Sequence, residues 1–354
     1  MKRRYKVLLG VAGALVALAA APILYVETRC GANGAAPPPS QSLLPAADRR
    51  SEARTWLTYP EWHIVYSAES LGKHLRAGGK PSDYAYMRDV KAFWRSTCAV
   101  NRIAAARPGG GDAKVMIYTI GLSFSAEMAV KGLWENTIGA FYEWASGHTS
   151  ADDRHAARVQ ADYAAFMHQV PWYEFGFGQA LSGLWSTSEP KQFGRHWERR
   201  LALSMEYGVK AGYAKAIGAA SGATLGRDEL TLRFVTPASP ATISAIDSRL
   251  KPLRQTADGQ TVVEAPRYAV FSQLLAKMAA ANVPISDIAG NDEIFLTALL
   301  PPSALVGGTQ NFVMPLGDRP GWRRVGVTVP VADLPAIMRS IQGSGGKVEH
   351  VHDY

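Results

Sequence analysis

The chain has 354 residues, of which 47% are hydrophobic and 19% are charged, and its net charge is +8. This length is sufficient for two domains with a sizeable core, and the composition excludes general disorder. Residues 228–354 hold 11 Lys/Arg against 12 Asp/Glu, so the positive excess lies in residues 1–227. It favours an anionic lipid surface, and because no Lys/Arg stripe or recognition motif accompanies it, the sequence predicts no nucleic-acid partner.

The N-terminus has the pattern of a membrane anchor. Four basic residues lie among the first six, and Val7–Val26 then runs for twenty residues without a charge. As a helix this segment is roughly 30 Å long, which matches the hydrocarbon core of a bilayer. The positive-inside rule places the N-terminus in the cytoplasm and the body in the periplasm of a bacterial inner membrane. A cleaved signal peptide is the alternative, but Pro22 directly follows the small residues 19–21 and is a poor start for a mature chain.

A Pro/Ala-rich linker over residues 27–50 follows the anchor at residues 1–26. The two cysteines, Cys30 and Cys98, would both lie on the oxidising side of the membrane. They either form a disulfide that ties the membrane exit to the body, or remain a free thiol and a small buried side chain. No Cys/His spacing typical of a zinc site occurs, and the sequence predicts no cofactor.

The predicted fold class is α+β: the transmembrane helix, an α-helical domain over residues 51–226, and a small α/β sandwich with ferredoxin-like βαβ units over residues 227–354. Helix starts are indicated by Pro60, Pro81, Ser150 and Pro190. In the second domain, alternating apolar residues predict strands at 230–236, 261–265, 293–300, 324–329 and 347–352, separated by helices at 241–250, 268–282 and 332–341. Residues 301–321 read as an irregular connection, and no internal repeat is visible.

The apolar segment Val115–Trp144 is long enough for a central helix of eight turns. Glu127, Lys131 and Glu135 lie four residues apart, so on a helix they are expected to form one short ionic ladder. Three interpretations remain open: the core helix of a bundle, a second membrane-inserted element, or a helix carrying a catalytic pair of carboxylates.

Four residues are candidates for a carboxylate/His site between helices: Glu61, His63, Glu127 and Glu135. Helix bundles build catalytic and metal sites from inward-facing groups of this kind. The chain contains no Glu-x-x-His pair, however, and structural ion pairs would explain the same residues.

Other residues are candidates for binding. Trp172 and Tyr173 belong to an aromatic tract that suits either a packed core or a membrane interface. Arg195, Arg199 and Arg200 would either bind an anionic headgroup or ligand phosphate, or form a solvated face with Glu198 and Glu206 as partners. Lys131 of the ladder is a further binding candidate.

The C-terminal strand carries His350 and His352, which would point to the same face and offer two imidazoles to a metal. No third ligand lies nearby in the sequence, so a polar sheet face is the simpler interpretation.

No nucleophile elbow, zinc-protease, Walker or dinucleotide-binding motif occurs in the chain. The first hypothesis is therefore a membrane-anchored envelope protein with a non-catalytic binding or scaffold role, whose partner is an apolar or amphipathic ligand, a lipid or a membrane protein. The alternatives are a membrane-associated enzyme using the carboxylate/His site, and a polytopic protein whose central helix enters the bilayer.

Overall fold

The computed structural model describes residues 2–31, 42–49, 56, 58–104, 111–188, 190–221, 230–317 and 319–353. The chain is mixed α+β, as predicted: a helical part comes first, and two antiparallel four-stranded sheets with their own helices follow. The predicted domain boundary at residues 226/227 lies outside the described residues and stays a prediction.

The helices of the first part are α1 (Lys2–Arg29), α2 (Tyr59–Arg76), α3 (Tyr86–Ala104), α4 (Gly111–Trp134), α5 (Ala140–Ser146), α6 (Ala151–Met167), α7 (Phe177–Trp185) and α8 (Phe193–Ser221). The predicted start of α2 is confirmed, with Pro60 in its first turn. Ser150 caps α6 and forms a reciprocal capping box with Asp153. Pro81 instead begins a short 3₁₀ turn that precedes α3.

The central helix is continuous but not uniform. A π-helical turn, Glu135–Gly139, joins α4 to α5, so that residues 113–146 form one helix that ends at Gly147. Among the described residues it is the one helix long and apolar enough to cross a membrane, yet only 22% of its most apolar window is buried. The interpretation as a bundle helix therefore holds for one face, which carries the buried Ile117, Phe124 and Met128, while the other face is exposed. The anchor predicted at residues 1–26 lies within the helix α1, and its place in a membrane stays a prediction.

The structure pairs Cys30 with Cys98 in a disulfide, which joins the end of α1 to α3. Polar contacts reinforce this junction, because the Asn101 side-chain amide donates to the carbonyl of Cys30 at 2.8 Å. Glu27 also accepts hydrogen bonds from Lys114 at 3.1 Å and from Tyr118 at 2.5 Å. The last turn of α1 is thus held against both α3 and the first turns of α4.

The second part contains β1 (Thr231–Thr236), α9 (Pro240–Ile246), β2 (Lys251–Gln255), β3 (Thr261–Pro266), α10 (Tyr268–Ala280), β4 (Asp287–Ile288), β5 (Glu293–Leu300), β6 (Thr309–Pro315), β7 (Arg323–Pro330), α11 (Leu334–Gly343) and β8 (Lys347–His352). The strand orders are β2-β3-β1-β4 and β6-β7-β5-β8, and every neighbouring pair is antiparallel. The two sheets thus have the same strand order, and no internal repeat in the sequence indicates this. The strand β6 also corrects the irregular connection predicted at 301–321.

The helical part and the second sheet share a hydrophobic core. Trp62 of α2 stacks on His350 of β8, with ring centroids 3.6 Å apart. Tyr59 packs against Phe295 and Phe312, at ring-centroid distances of 5.2 and 5.1 Å. Apolar side chains of one part therefore complete the core of the other.

Candidate functional site

A cavity of about 400 Å³ lies among α2, α6, α8 and the central helix. One wall is apolar and consists of Leu71, Leu75, Ala156, Ala157 and Leu203. The site is concave, but eight of its 21 lining residues are charged, which is a more polar lining than is usual for a small-molecule pocket.

The charged part of the lining, here called the charged wall, contains groups that are joined across helices. Arg199 of α8 makes two parallel hydrogen bonds to Glu135 of the π turn, both 2.9 Å long. It also binds Glu198, at 2.8 Å from Nε. Burial opposes the charged form, but Glu135 and Glu198 raise the pKa of the Arg199 guanidinium well above its usual range. The Arg199 guanidinium is therefore always charged.

Arg195 extends this network one turn earlier in α8. It contacts Asp153 at 2.7 Å, Glu198 at 2.9 Å and Glu143 at 3.5 Å. Both guanidiniums are almost fully buried, so the prediction of a solvated arginine face is wrong for Arg195 and Arg199. Buried charges of this kind must be paired, because removal of one partner leaves an uncompensated buried charge that destabilises the folded state.

The ladder predicted along the central helix is not formed, because its members bind α8 rather than each other. Lys131 contacts Glu206 at 3.0 Å, and Glu127 contacts Lys210 at 2.7 Å. Burial alone would raise the pKa of the Glu206 carboxyl, but Lys131 and Lys210 lower it to about 2. Intrahelical spacing predicted the charged face correctly but not its partners.

The mouth of the cavity is basic. Arg76, Arg154 and Arg158 line it, and Arg76 has an exposed ion pair with Asp162 at 3.5 Å. Arg158 is exposed and makes no ion pair with any residue that the structure describes. Sequence reasoning missed these three arginines because they lie on two helices, with no motif linking them.

The four candidate catalytic residues are not brought together. Glu135 lines the cavity, whereas Glu127 pairs beside it with Lys210 and is not part of the lining. Glu61 and His63 belong to the first turns of α2, where Trp62 packs on the second sheet. A single carboxylate/His site built from all four residues is therefore not what the structure contains.

Glu61 and His63 are nevertheless unusual. Burial raises the pKa of the Glu61 carboxyl to about 7, although Arg267 opposes the shift. Burial and the nearby Arg324 lower the pKa of the His63 ring to about 3. Neither ring nitrogen of His63 has a hydrogen-bond partner among the described residues. His63 is thus a neutral ring in an apolar setting.

His350 and His352 lie on one face of β8, as predicted, with ring centroids 4.7 Å apart. Both rings are buried against aromatic side chains of α2, so the predicted polar sheet face is instead a packed one. Burial lowers the pKa of His350 well below its usual value and that of His352 to about 3. In the part of the chain described here, no three His, Cys, Asp or Glu side chains are placed to hold a metal.

The remaining binding candidates lie away from the cavity. Trp172 is half-buried, and its ring lies 5.4 Å from Tyr213 and 6.2 Å from Tyr173. Arg200 stacks over Trp185 at 4.8 Å and donates to the carbonyl of Thr187 at 2.7 Å. Comparison of the chain with family models, with curated proteins and with solved structures gives no match.

Proposed function

We propose that this chain is a membrane-anchored envelope protein whose helical part binds an amphipathic ligand with an anionic headgroup and performs no catalysis. The observation that carries the proposal is the cavity itself, with Leu71, Leu75 and Leu203 on its apolar wall and arginines at its mouth. Its volume of about 400 Å³ lies within the usual range for small-molecule sites.

The charged wall supports binding rather than proton transfer. Lys131 and Arg199 are each neutralised by a carboxylate within 3.0 Å. With a pKa of about 2, the Glu206 carboxylate is too weak a base to accept a proton near neutral pH. The group that would donate hydrogen bonds to an anionic headgroup is instead Arg158, whose charge faces solvent at the mouth.

The proposed address is the bacterial inner membrane, with α1 as the single span, its basic start in the cytoplasm and the body in the periplasm. The Cys30–Cys98 disulfide supports this orientation, because disulfides persist in oxidising compartments. The membrane is the proposed partner through α1, and we propose neither a nucleic-acid partner nor a cofactor.

The α/β part over residues 227–354 is proposed to be a ferredoxin-like assembly module beside the ligand-binding helices of residues 51–226. Its first sheet follows the chain order β1-α9-β2-β3-α10-β4, and its strands lie in the order β2-β3-β1-β4. The second sheet has the equivalent order but no helix between β5 and β6. This arrangement supports the ferredoxin-like class.

The test uses the full chain in amphipol and cis-parinaric acid, an intrinsically fluorescent fatty acid. Ala157→Trp fills the cavity and is expected to weaken binding about tenfold or more, whereas Ala336→Trp, on the exposed side of α11, should bind as wild type does. Arg158→Glu should weaken binding of the acid but not of its methyl ester.

Circular dichroism checks that each variant is folded. If the wild type binds neither the acid nor the ester, the proposal is wrong. The same holds if folded Ala157→Trp binds the acid with unchanged affinity.

A further inference from the structure

The outer face of α8 is an apolar stripe. Every fourth residue from the start of this helix is a large hydrophobic side chain that is 47–72% exposed. These residues are Phe193, Trp197, Leu201, Met205 and Val209. Single exposed hydrophobic residues are common on protein surfaces, but an unbroken row of five requires an explanation.

Most charged residues of α8 point the other way, although Arg200 is half-buried and Lys215 is exposed. Arg195, Glu198 and Arg199 are buried, and the side chains of Glu206 and Lys210 are only 16% and 13% exposed. A surface helix in water has the opposite arrangement, with apolar residues inward and charges outward. The helix is therefore inverted relative to an aqueous surface.

The central helix has the same inversion. Its outward side chains, 43–82% exposed, are Val130, Leu133, Ile138, Phe141 and Trp144. Of its acidic residues, Glu135 and Glu143 are buried, whereas Glu127 is exposed and pairs with Lys210. The two helices thus repeat one inverted pattern.

The two helices run antiparallel, side by side. The ion pairs Glu127–Lys210, Lys131–Glu206 and Glu135–Arg199 show this, since the residue number falls along α8 as it rises along the central helix. The inner side of the pair is covered, because α2 and α3 pack on α4, and α6 and α7 pack on α8. Only the outer side remains open.

The pair begins at the end of the proposed anchor. Glu27 of α1 binds Lys114 and Tyr118 in the first turns of α4. Further exposed apolar side chains flank this junction, Leu24 and Tyr25 on α1 and Val115 on α4. The apolar surface therefore continues from the helix pair to the segment that enters the bilayer.

We propose that the outer stripes of α8 and the central helix form one lipid-embedded surface, which lies in the periplasmic leaflet of the bilayer that holds α1. The aliphatic and phenyl side chains sit among the acyl chains, and Trp144 and Trp197 lie at headgroup level. The inference rests on the membrane location in the proposed function. It adds a second membrane contact, made by helices that lie in the plane of the bilayer.

The test exploits the cysteine content of the chain. Both cysteines are in the disulfide, so a cysteine introduced elsewhere is the single free thiol. Leu201→Cys carries a fluorophore in the full chain, reconstituted into phosphatidylcholine/phosphatidylglycerol vesicles with iodide on both sides. Ala336→Cys, exposed on α11, is the matched control.

Brominated lipid is expected to remove roughly half or more of the fluorescence at Leu201→Cys, because an embedded apolar face lies about 5–10 Å into the headgroup/acyl boundary. Iodide should quench the Ala336→Cys label only. Quenching of both labels by iodide would overturn the proposal. Shielding of Leu201→Cys from both quenchers would also overturn it, since protein would then cover the stripe. Fatty-acid binding is measured separately in amphipol, so either proposal can fail alone.

Discussion

Two ionisable groups on α2, Glu61 and His63, respond to pH with opposite signs. The folded-state pKa of the His63 ring is lowered to about 3, so its contribution to stability is present above its ordinary pKa of 6.5 and is lost as the pH falls. The folded-state pKa of the Glu61 carboxyl is raised from 4.5 to about 7. Its contribution is present below pH 4.5 and is lost as the pH rises through 7.

Glu61→Gln should therefore remove a destabilising term that exists only at higher pH. We expect equal free energies of unfolding for variant and wild type near pH 4.5, and an advantage of about 2 kcal/mol for the variant above pH 7.5, since one pKa unit corresponds to about 1.4 kcal/mol and the carboxyl is partly exposed. Denaturant titrations of the full chain in amphipol between these pH values measure the difference. A difference that does not vary with pH would contradict the shifted pKa.

At the scale of the element, the π turn explains how the central helix keeps its acids inside. Glu135, Gly139 and Glu143 are all buried, although residues eight apart on an α-helix are rotated by about 80°. The wider π turn compensates for this drift. Gly139 is needed there, because a Cβ atom would approach the Glu135 carboxylate to 2.7 Å and displace it from Arg199.

Insertion of one alanine after Thr137 should shift the register of the central helix beyond the π turn. The segment after the insertion would rotate by about 100°, and the buried Glu143 would lose its hydrogen bonds from Ser82 and its contact with Arg195, at an expected cost of about 2 kcal/mol or more. Thr137→Ala is the control and should change stability by less than about 0.5 kcal/mol, since the side chain is exposed. Thermal unfolding of both variants in amphipol measures the contrast. Equal melting temperatures would show that the burial of Glu143 does not depend on the register set by the π turn.

The sequence predicts most of the individual elements but not how they face one another. Five strands were predicted within about a residue of their observed ends, because they alternate or are continuously apolar. The strands β2, β4 and β6 are not predicted: β2 is mostly exposed, β4 has two residues, and Thr309, Gln310 and Asn311 hide the pattern of β6.

The sequence predicts the candidate site only in part, because it does not show how the helices face one another. Lys131, Glu135 and Arg199 were singled out by residue type and spacing. Their partners were not, since local spacing carries no information about contacts between helices more than 60 residues apart. The repeat of a large apolar residue at every fourth position of α8 is visible in the sequence, but this spacing alone does not say which face of the helix is buried.

For the whole molecule, the shared core implies that the helical part and the second sheet unfold together. Trp62 packs against Tyr66 of α2 in the helical part and against His350 of β8 in the second sheet. Trp62→Ala should cost about 3–5 kcal/mol and increase hydrogen exchange in α2 and in β8 alike. Trp144→Ala is the control, because that side chain is 82% exposed. Faster exchange in α2 alone would show that the two parts unfold independently.

The disulfide between Cys30 and Cys98 closes a loop that contains residues 31–50 of the Pro/Ala-rich linker. A protease that cuts within this loop would leave the two fragments covalently joined. If the chain is anchored as proposed, release of the body from the membrane would require two different chemical events, hydrolysis of a peptide bond and reduction of the disulfide. Under oxidising conditions a nicked molecule would stay attached to the proposed anchor.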